Sequence, residues 1–167
     1  RNCLMSGLSR DAIVTGAGGF IGAHVAAALS KRGWRLGLAG NAARDTALPA
    51  AVARWGPITE AALHELSIEL NGVQTIIHCA GGASVAASLA DPTADFERTV
   101  RSTSHVLAFM RAHAPEARLV FLSSAAVYGA AGGVLHEDMV KAPVSPYGVH
   151  KAQAEDLVIE AAERFRL

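Results

Sequence analysis

Tyr147 and Lys151 stand four residues apart at the start of a segment reading Pro146-Tyr147-Gly148-Val149-His150-Lys151. On a helix, that spacing puts both side chains on one face. An ammonium beside a phenol favours the phenolate and draws its pKa below the free value of about 10. A tyrosine poised in this way can take a proton from a substrate hydroxyl while hydride leaves the same carbon. Alone, the pair is common and reads as a solvated couple. The upstream context reverses that reading. An apolar run ends in Ser123-Ser124-Ala125-Ala126-Val127-Tyr128-Gly129, and the separation of Ser124 from Tyr147 fits a loop that returns to the same edge. Ligands of open α/β sheets bind at the carboxyl ends of the strands, where Ser124 and the Tyr-Lys pair can meet. Gly16, Gly19 and Gly22 form a third group, directly after an apolar run and at the opening of a helical one. The first glycine allows a tight turn, the second lets a pyrophosphate approach the backbone, and the third lets helix and strand pack closely. The helix N-terminus then offers free N–H groups and partial positive charge to phosphates.

These residues need a scaffold that alternates strands and helices, and the pattern predicts one. Ala12–Thr15 reads as a buried strand, followed by a helix with apolar positions Ile21, Val25, Ala28 and Leu29 that ends near Arg32-Gly33. Leu36–Ala39 is a second strand; residues 40–57 are expected to hold a loop, a short helix and a strand around Val52–Trp55. Thr59 is the expected N-cap of a helix to about Leu70. Thr75–Ala80 and Arg118–Ser123 complete the strands, with a helix over 93–113 between them, a Gly/Pro-rich loop over 125–146 and a last helix over 146–165. Such alternation implies a parallel sheet with helices on both faces. The expected division is an N-terminal extension at 1–10 and a single domain over 11–167.

Composition narrows the classes. The chain has 167 residues, 51% of them hydrophobic and 18% charged, which suits one packed domain and argues against disorder. Fifteen basic residues balance fifteen acidic ones, so the basic excess of a general nucleic-acid binder is absent and no nucleic-acid partner is expected. Two cysteines, Cys3 and Cys79, are too few for a disulfide framework and fit a reducing compartment. The N-terminal residues lack a signal-peptide apolar core, and no run approaches the ~20 apolar residues of a membrane span. The expected location is therefore cytoplasmic. No histidine sits at metal-ligand spacing from cysteines or carboxylates, so no metal site is expected.

Thr15-Gly16-Ala17-Gly18-Gly19-Phe20-Ile21-Gly22 resembles the nucleotide-binding turn of the extended short-chain dehydrogenase/reductase family, which includes the NAD-dependent sugar-nucleotide epimerases and dehydratases. Ser-Ser-Ala-Ala-Val-Tyr-Gly followed by Ser-Pro-Tyr-Gly-x-x-Lys resembles that family's catalytic signature. The resemblance implies a Rossmann-type, doubly wound parallel sheet of about five strands. It also implies that Gly16, Gly18, Gly19, Phe20, Ile21 and Gly22 line the cofactor. By residue match, Ser124 would hydrogen-bond the substrate hydroxyl and Tyr147 would be the acid/base. Lys151 would hold the nicotinamide ribose and tune Tyr147. His78-Cys79-Ala80-Gly81-Gly82 looks like the family run that passes under the cofactor, which makes Ala80 and Gly81 lining residues. Ser84, Ser88 and Asp91-Pro92 continue the resemblance through a loop expected to approach substrate, and Ser84 is the substrate-binding candidate. His78 and Tyr128 are expected to be structural.

Two departures qualify the match, and one pair discriminates within the family. The acidic residue expected after strand two falls at Gly40, followed by Asn41. Asn41 offers a neutral hydrogen bond and Arg44 a cation for a 2′-phosphate, so both NAD and NADP fit; the resembling epimerases imply NAD. Thr99-Val100 replaces an Asn-Val pair, and threonine cannot span two partners as an amide does. Ala125 and Ala126 stand where 4,6-dehydratases carry an Asp-Glu pair. A UDP-sugar 4-epimerase working through a 4-keto intermediate is thus the implied activity. The alternatives are a truncated dinucleotide-binding module without turnover, and a 4-reductase or other carbonyl reductase. Resemblance covers 11–165, only the N-terminal part of such proteins, so the substrate domain is missing from the match and strand five is expected to be a free edge. Apolar residues Val100, Val106, Leu107, Met110, Leu157 and Val158 exceed what one sheet face covers. In the resembling family the two helices that carry them pair across a dimer axis, so the resemblance implies a homodimer through helices 93–113 and 146–165.

Overall fold

The computed structural model describes residues 10–41, 51–130 and 132–165. Five strands, β1 (Asp11–Thr15), β2 (Arg35–Gly40), β3 (Ala51–Trp55), β4 (Thr75–His78) and β5 (Arg118–Phe121), form one all-parallel sheet in the order β3-β2-β1-β4-β5. The order reverses at β1, whose two neighbours lead away in opposite directions, and this opens a crevice at the strands' carboxyl ends. β1 is wholly buried because period-two alternation sends its side chains to two cores. Ile13 joins Leu63, Leu66, Ile76, Val106, Phe109 and Met110 under α2 (Glu60–Glu69) and α5 (Ser102–His113). Ala12 and Val14 join Ala26, Leu36 and Leu38 under α1 (Phe20–Ser30) on the other face. Glycine in β2 has a packing reason: a Cβ on Gly37 would stand 3.0 Å from Ile13 Cγ1 and 3.3 Å from Leu66 Cβ, crowding α2 where it seats on the sheet.

Thr59 caps α2 as expected, its hydroxyl accepting from Ala62 N at 3.2 Å. Other expectations shift. In α1 the sheet-facing positions are Gly22, Val25, Ala26 and Leu29, whereas Ile21 is 53% exposed, because the first turn stands clear of the sheet beside the glycine turn. The segment expected as a loop after Gly82 forms a short helix, α3 (Val85–Ala90), which Ser84 caps by accepting from Ala87 N. The expected helix over 93–113 is three joined pieces. α4 (Pro92–Phe96) begins on the Asp91 cap, Glu97–Arg101 widens to a π-helix, and α5 follows. β4 and β5 stop at His78 and Phe121, two residues before the expected ends. A 3₁₀ turn (Ala125–Tyr128) leads into the loop, and α6 runs over Pro146–Phe165 as expected. β5 is an edge strand with Val120 43% exposed. No helix among the described residues is long and apolar enough to cross a membrane. Residues 1–9, with Cys3, and 42–50, with Arg44, lie outside the described residues.

Candidate active site

The glycine turn is built by close backbone approach. Gly16 has φ +65°, a left-handed conformation that favours glycine, and a Cβ there would stand 2.6 Å from Ala80 N. A Cβ on Gly22 would stand 2.2 Å from Gly16 O, so the third glycine packs on the turn itself. α1 starts at Phe20 with no side-chain cap and no acidic residue in its first turn. Its first intrahelical bond runs from Ala23 N to Gly19 O, which leaves the N–H groups of Phe20, Ile21 and Gly22 without intrahelical partners. An open cleft of about 630 Å³ lies beside the turn. Its lining includes Gly16, Gly18, Gly19, Asn41, Ala80 and Gly81. Phe20, Ile21 and Gly22 are not on its wall; the first two are 70% and 53% exposed beside it.

Beyond Gly81 the character changes. A buried polar chain ties β1, β4 and the π segment together. Thr103 Oγ1 donates to Thr99 O at 2.7 Å, so it accepts from His78 Nε2–H at 3.0 Å. His78 Nδ1 is then an acceptor and takes the Thr15 hydroxyl at 2.6 Å, while Thr15 Oγ1 accepts from Ala80 N at 3.3 Å. Burial, reinforced by the Lys151 charge, holds His78 neutral by lowering its pKa to about 3. Burial also pushes the neighbouring Cys79 thiol up to about 11, which leaves it a packing group. Thr99 Oγ1 accepts from Gly82 N at 2.8 Å, so the threonine in the expected amide position anchors the loop after β4.

Tyr147 and Lys151 sit on the first turns of α6, as their spacing requires. Ser88 Oγ, fully buried on α3, accepts from Tyr147 N at 3.0 Å and donates to Val85 O at 2.7 Å. It thereby satisfies one of α6's free N–H groups and fixes the tyrosine's backbone. Lys151 is 5% exposed; its Nζ donates to Leu122 O at 2.8 Å and lies 5.3 Å from the centre of the Phe121 ring. Burial lowers its pKa, opposed by Asp95, Cys79 and Glu155. A Cβ on Gly81 would stand 2.9 Å from that Nζ, so the lysine lies against a residue of the cleft wall. Ser124 is half-buried at the end of β5, where its hydroxyl accepts from Ala126 N at 3.2 Å and starts the 3₁₀ turn. Ser84 is exposed at the head of α3.

The sequence reading missed a pair. His150 Nδ1 contacts Asp95 Oδ2 at 2.6 Å, with Asp95 fully buried. The two are 55 residues apart, and the only local signal is that His150 shares a helix face with Tyr147.

A doubly wound parallel sheet with a glycine turn at the switch point and a Tyr-Lys helix at the same edge defines a Rossmann-type fold. Residues 12–167 match the NAD dependent epimerase/dehydratase family, and the chain belongs to that family. It is 35% identical over 153 residues to a UDP-glucose 4-epimerase of Azospirillum brasilense, covering 89% of this chain and 44% of that protein. A UDP-glucose 4-epimerase 4 of Oryza sativa subsp. japonica is 31% identical, over 91% of this chain and 45% of its own length. Among solved structures, UDP-glucose 4-epimerase from Brucella ovis in complex with NAD superposes with a TM-score of 0.85 at 28% identity, over 95% of this chain and 49% of that one. The UDP-glucose 4-epimerase of Thermus thermophilus, also complexed with NAD, gives 0.85 at 27%, over 94% and 52%. The chain thus spans about half the length of the relatives it matches.

Proposed function

We propose that residues 11–167 form the NAD-binding part of an epimerase/dehydratase-family protein and carry its acid/base, acting on their own as a dinucleotide-binding module. The observation that carries this is the convergence on one sheet edge of an uncapped glycine turn and the Tyr147-Lys151 face, with Gly81 between them. The turn suits the cofactor: Gly18 and Gly19 line the cleft without side chains, and the first N–H groups of α1 have no intrahelical partners to compete with a pyrophosphate. Gly16, Gly18, Gly19 and the N–H groups of Phe20, Ile21 and Gly22 would hold the phosphates. Asn41 would hold the adenosine ribose, and Ala80, Gly81 and Lys151 the nicotinamide end. NAD, or NADP in its place, supplies a reversible hydride acceptor when bound.

The chain's own residues would move the proton. Ser124 would orient the substrate hydroxyl, and Tyr147 would take and return its proton with the Lys151 ammonium favouring the phenolate. In the longer protein, a UDP-sugar 4-epimerase is the second reading; two relatives named as UDP-glucose 4-epimerases and the proton-inert Ala125-Ala126 pair favour it over a 4,6-dehydratase. A 4-reductase would use the same residues. Ser84 would border the sugar. Homodimerisation would use α5 and α6, which flank a groove of about 490 Å³ lined by Leu107, Ala108, Leu157 and Phe165. Val106 and Met110 do not contribute to it, being fully buried in the sheet core.

Calorimetric titration of the chain with NAD tests the module: binding is expected, and its absence would sink the reading. Adding UDP-glucose separates the activities. Binding without product supports the module, whereas formation of UDP-galactose supports the epimerase. In that case Tyr147→Phe should lower turnover by about 10²–10⁴-fold.

A further inference from the structure

Lys151 is a buried cation with no carboxylate at ion-pair distance among the described residues, although the proposed chemistry needs it charged. The groups around it come from four sides. The end of β4 presents neutral His78 and the Cys79 thiol. β5 and its end present the Phe121 ring and the Leu122 carbonyl. The π segment presents the Thr99 hydroxyl, and α6 itself carries Tyr147, His150 and Glu155. Glu155 is committed to Lys141 Nζ at 3.3 Å. The remaining anion is Asp95 on α4, and it is the strongest of the groups that oppose the effect of burial on Lys151.

Asp95 and the lysine lie against adjacent glycines of the loop after β4. A Cβ on Gly81 would meet Lys151 Nζ at 2.9 Å, and one on Gly82 would overlap Asp95 Oδ1, only 1.9 Å away, and meet Tyr147 Cδ2 at 3.2 Å. Adjacent residues lacking side chains therefore make room for two opposite charges and the tyrosine ring. Asp95 Oδ2 is held by His150 Nδ1, whereas Oδ1 is buried with no hydrogen-bond partner. A buried carboxylate with a free oxygen is costly unless a positive charge compensates it. We infer that Asp95, latched by His150, is a positioning residue: its carboxylate is the counter-charge that holds Lys151 as an ammonium over Gly81 and within reach of Tyr147. This rests on the proposed role of the Tyr-Lys pair but concerns Lys151's charge, which is measurable without turnover.

The sequence contains three lysines, Lys31, Lys141 and Lys151, so the side-chain signals of a lysine-labelled chain can be followed individually by NMR across pH. Lys151→Met assigns the relevant signal. Asp95→Asn keeps the shape and an acceptor for His150 but removes the charge; the Lys151 midpoint should move to lower pH while Lys31 and Lys141 stay in place. Gly82→Ala leaves every charge in the chain but displaces Oδ1, and should move the same signal in the same direction. An unchanged Lys151 midpoint in either variant, with a native circular dichroism spectrum, overturns the inference. A shift seen alongside failure of NAD binding would leave the counter-charge standing and sink the cofactor reading alone.

Discussion

The glycine turn and the Tyr147-Lys151 end of the site are built on opposite terms. At the glycine turn the arrangement depends on the absence of side chains: the first N–H groups of α1 lack intrahelical partners, and the packing contacts at Gly16 and Gly22 are backbone on backbone. At the Tyr147 end the arrangement depends on buried polar side chains from β1, β4, α3, α4, the π segment, α5 and α6, bonded to partners far away in the chain. One end is a short run of consecutive residues seated on the backbone of Ala39 and Cys79-Ala80, and the other draws side chains from most of the fold. The first should fail by steric overlap, and the second by loss of hydrogen bonds and charge.

Gly22→Ala should have the largest effect, since the new methyl would lie 2.2 Å from a carbonyl oxygen that cannot retreat. Destabilisation of about 3 kcal/mol or more by urea unfolding is expected, with loss of NAD binding. Gly19→Ala sharpens the contrast: its Cβ would meet only Gly16 O, at 3.1 Å, and the fold should survive.

At the other end the response should follow pH. His78 stays neutral in the native state down to about pH 3, while the unfolded chain takes up that proton below about 6.5. The unfolded state therefore binds more protons between these limits, and stability must fall as pH falls through them, by up to about 1.4 kcal/mol per unit from this residue. Above about pH 6.5 the contribution is level. His78→Gln, which cannot take up a proton, should flatten that part of the curve; an unchanged slope would place the acid sensitivity elsewhere. Ser88→Ala, which orphans Tyr147 N, should cost about 1–2 kcal/mol and leave NAD affinity nearly unchanged.

The same contrast decides what can be read from sequence. Strand, turn and α1 are contiguous, so periodicity and glycine spacing locate them, although Ile21 misleads because apolar spacing does not say where a helix meets its sheet. Tyr147 and Lys151 are legible because four residues define one helix face. Asp95 and Thr103 are not: each acts through a partner 55 or 25 residues away, and no local pattern distinguishes them from ordinary helix residues, while Ser88 stands out only by resemblance and its bond to Tyr147 N does not. The helix Val85–Ala90 is hidden for a related reason, being six residues long with no periodicity to betray it.

The π segment Glu97–Arg101 sets a constraint of another kind. A π turn amounts to one residue inserted into an α-helix, so the chain before it is turned by about 100° relative to the chain after it. Asp95, ahead of it, looks toward Gly82 and α6; Val106, Phe109 and Met110, behind it, look into the sheet core. Glu97, Arg98 and Arg101 are exposed, so their identities are nearly free as far as folding is concerned. Their number is not. Removing one residue would leave a more regular helix and a misaligned protein, with either the core or the Asp95 latch out of phase. Along this stretch inheritance must preserve the residue count together with Thr99, whose hydroxyl holds the Gly82 N–H.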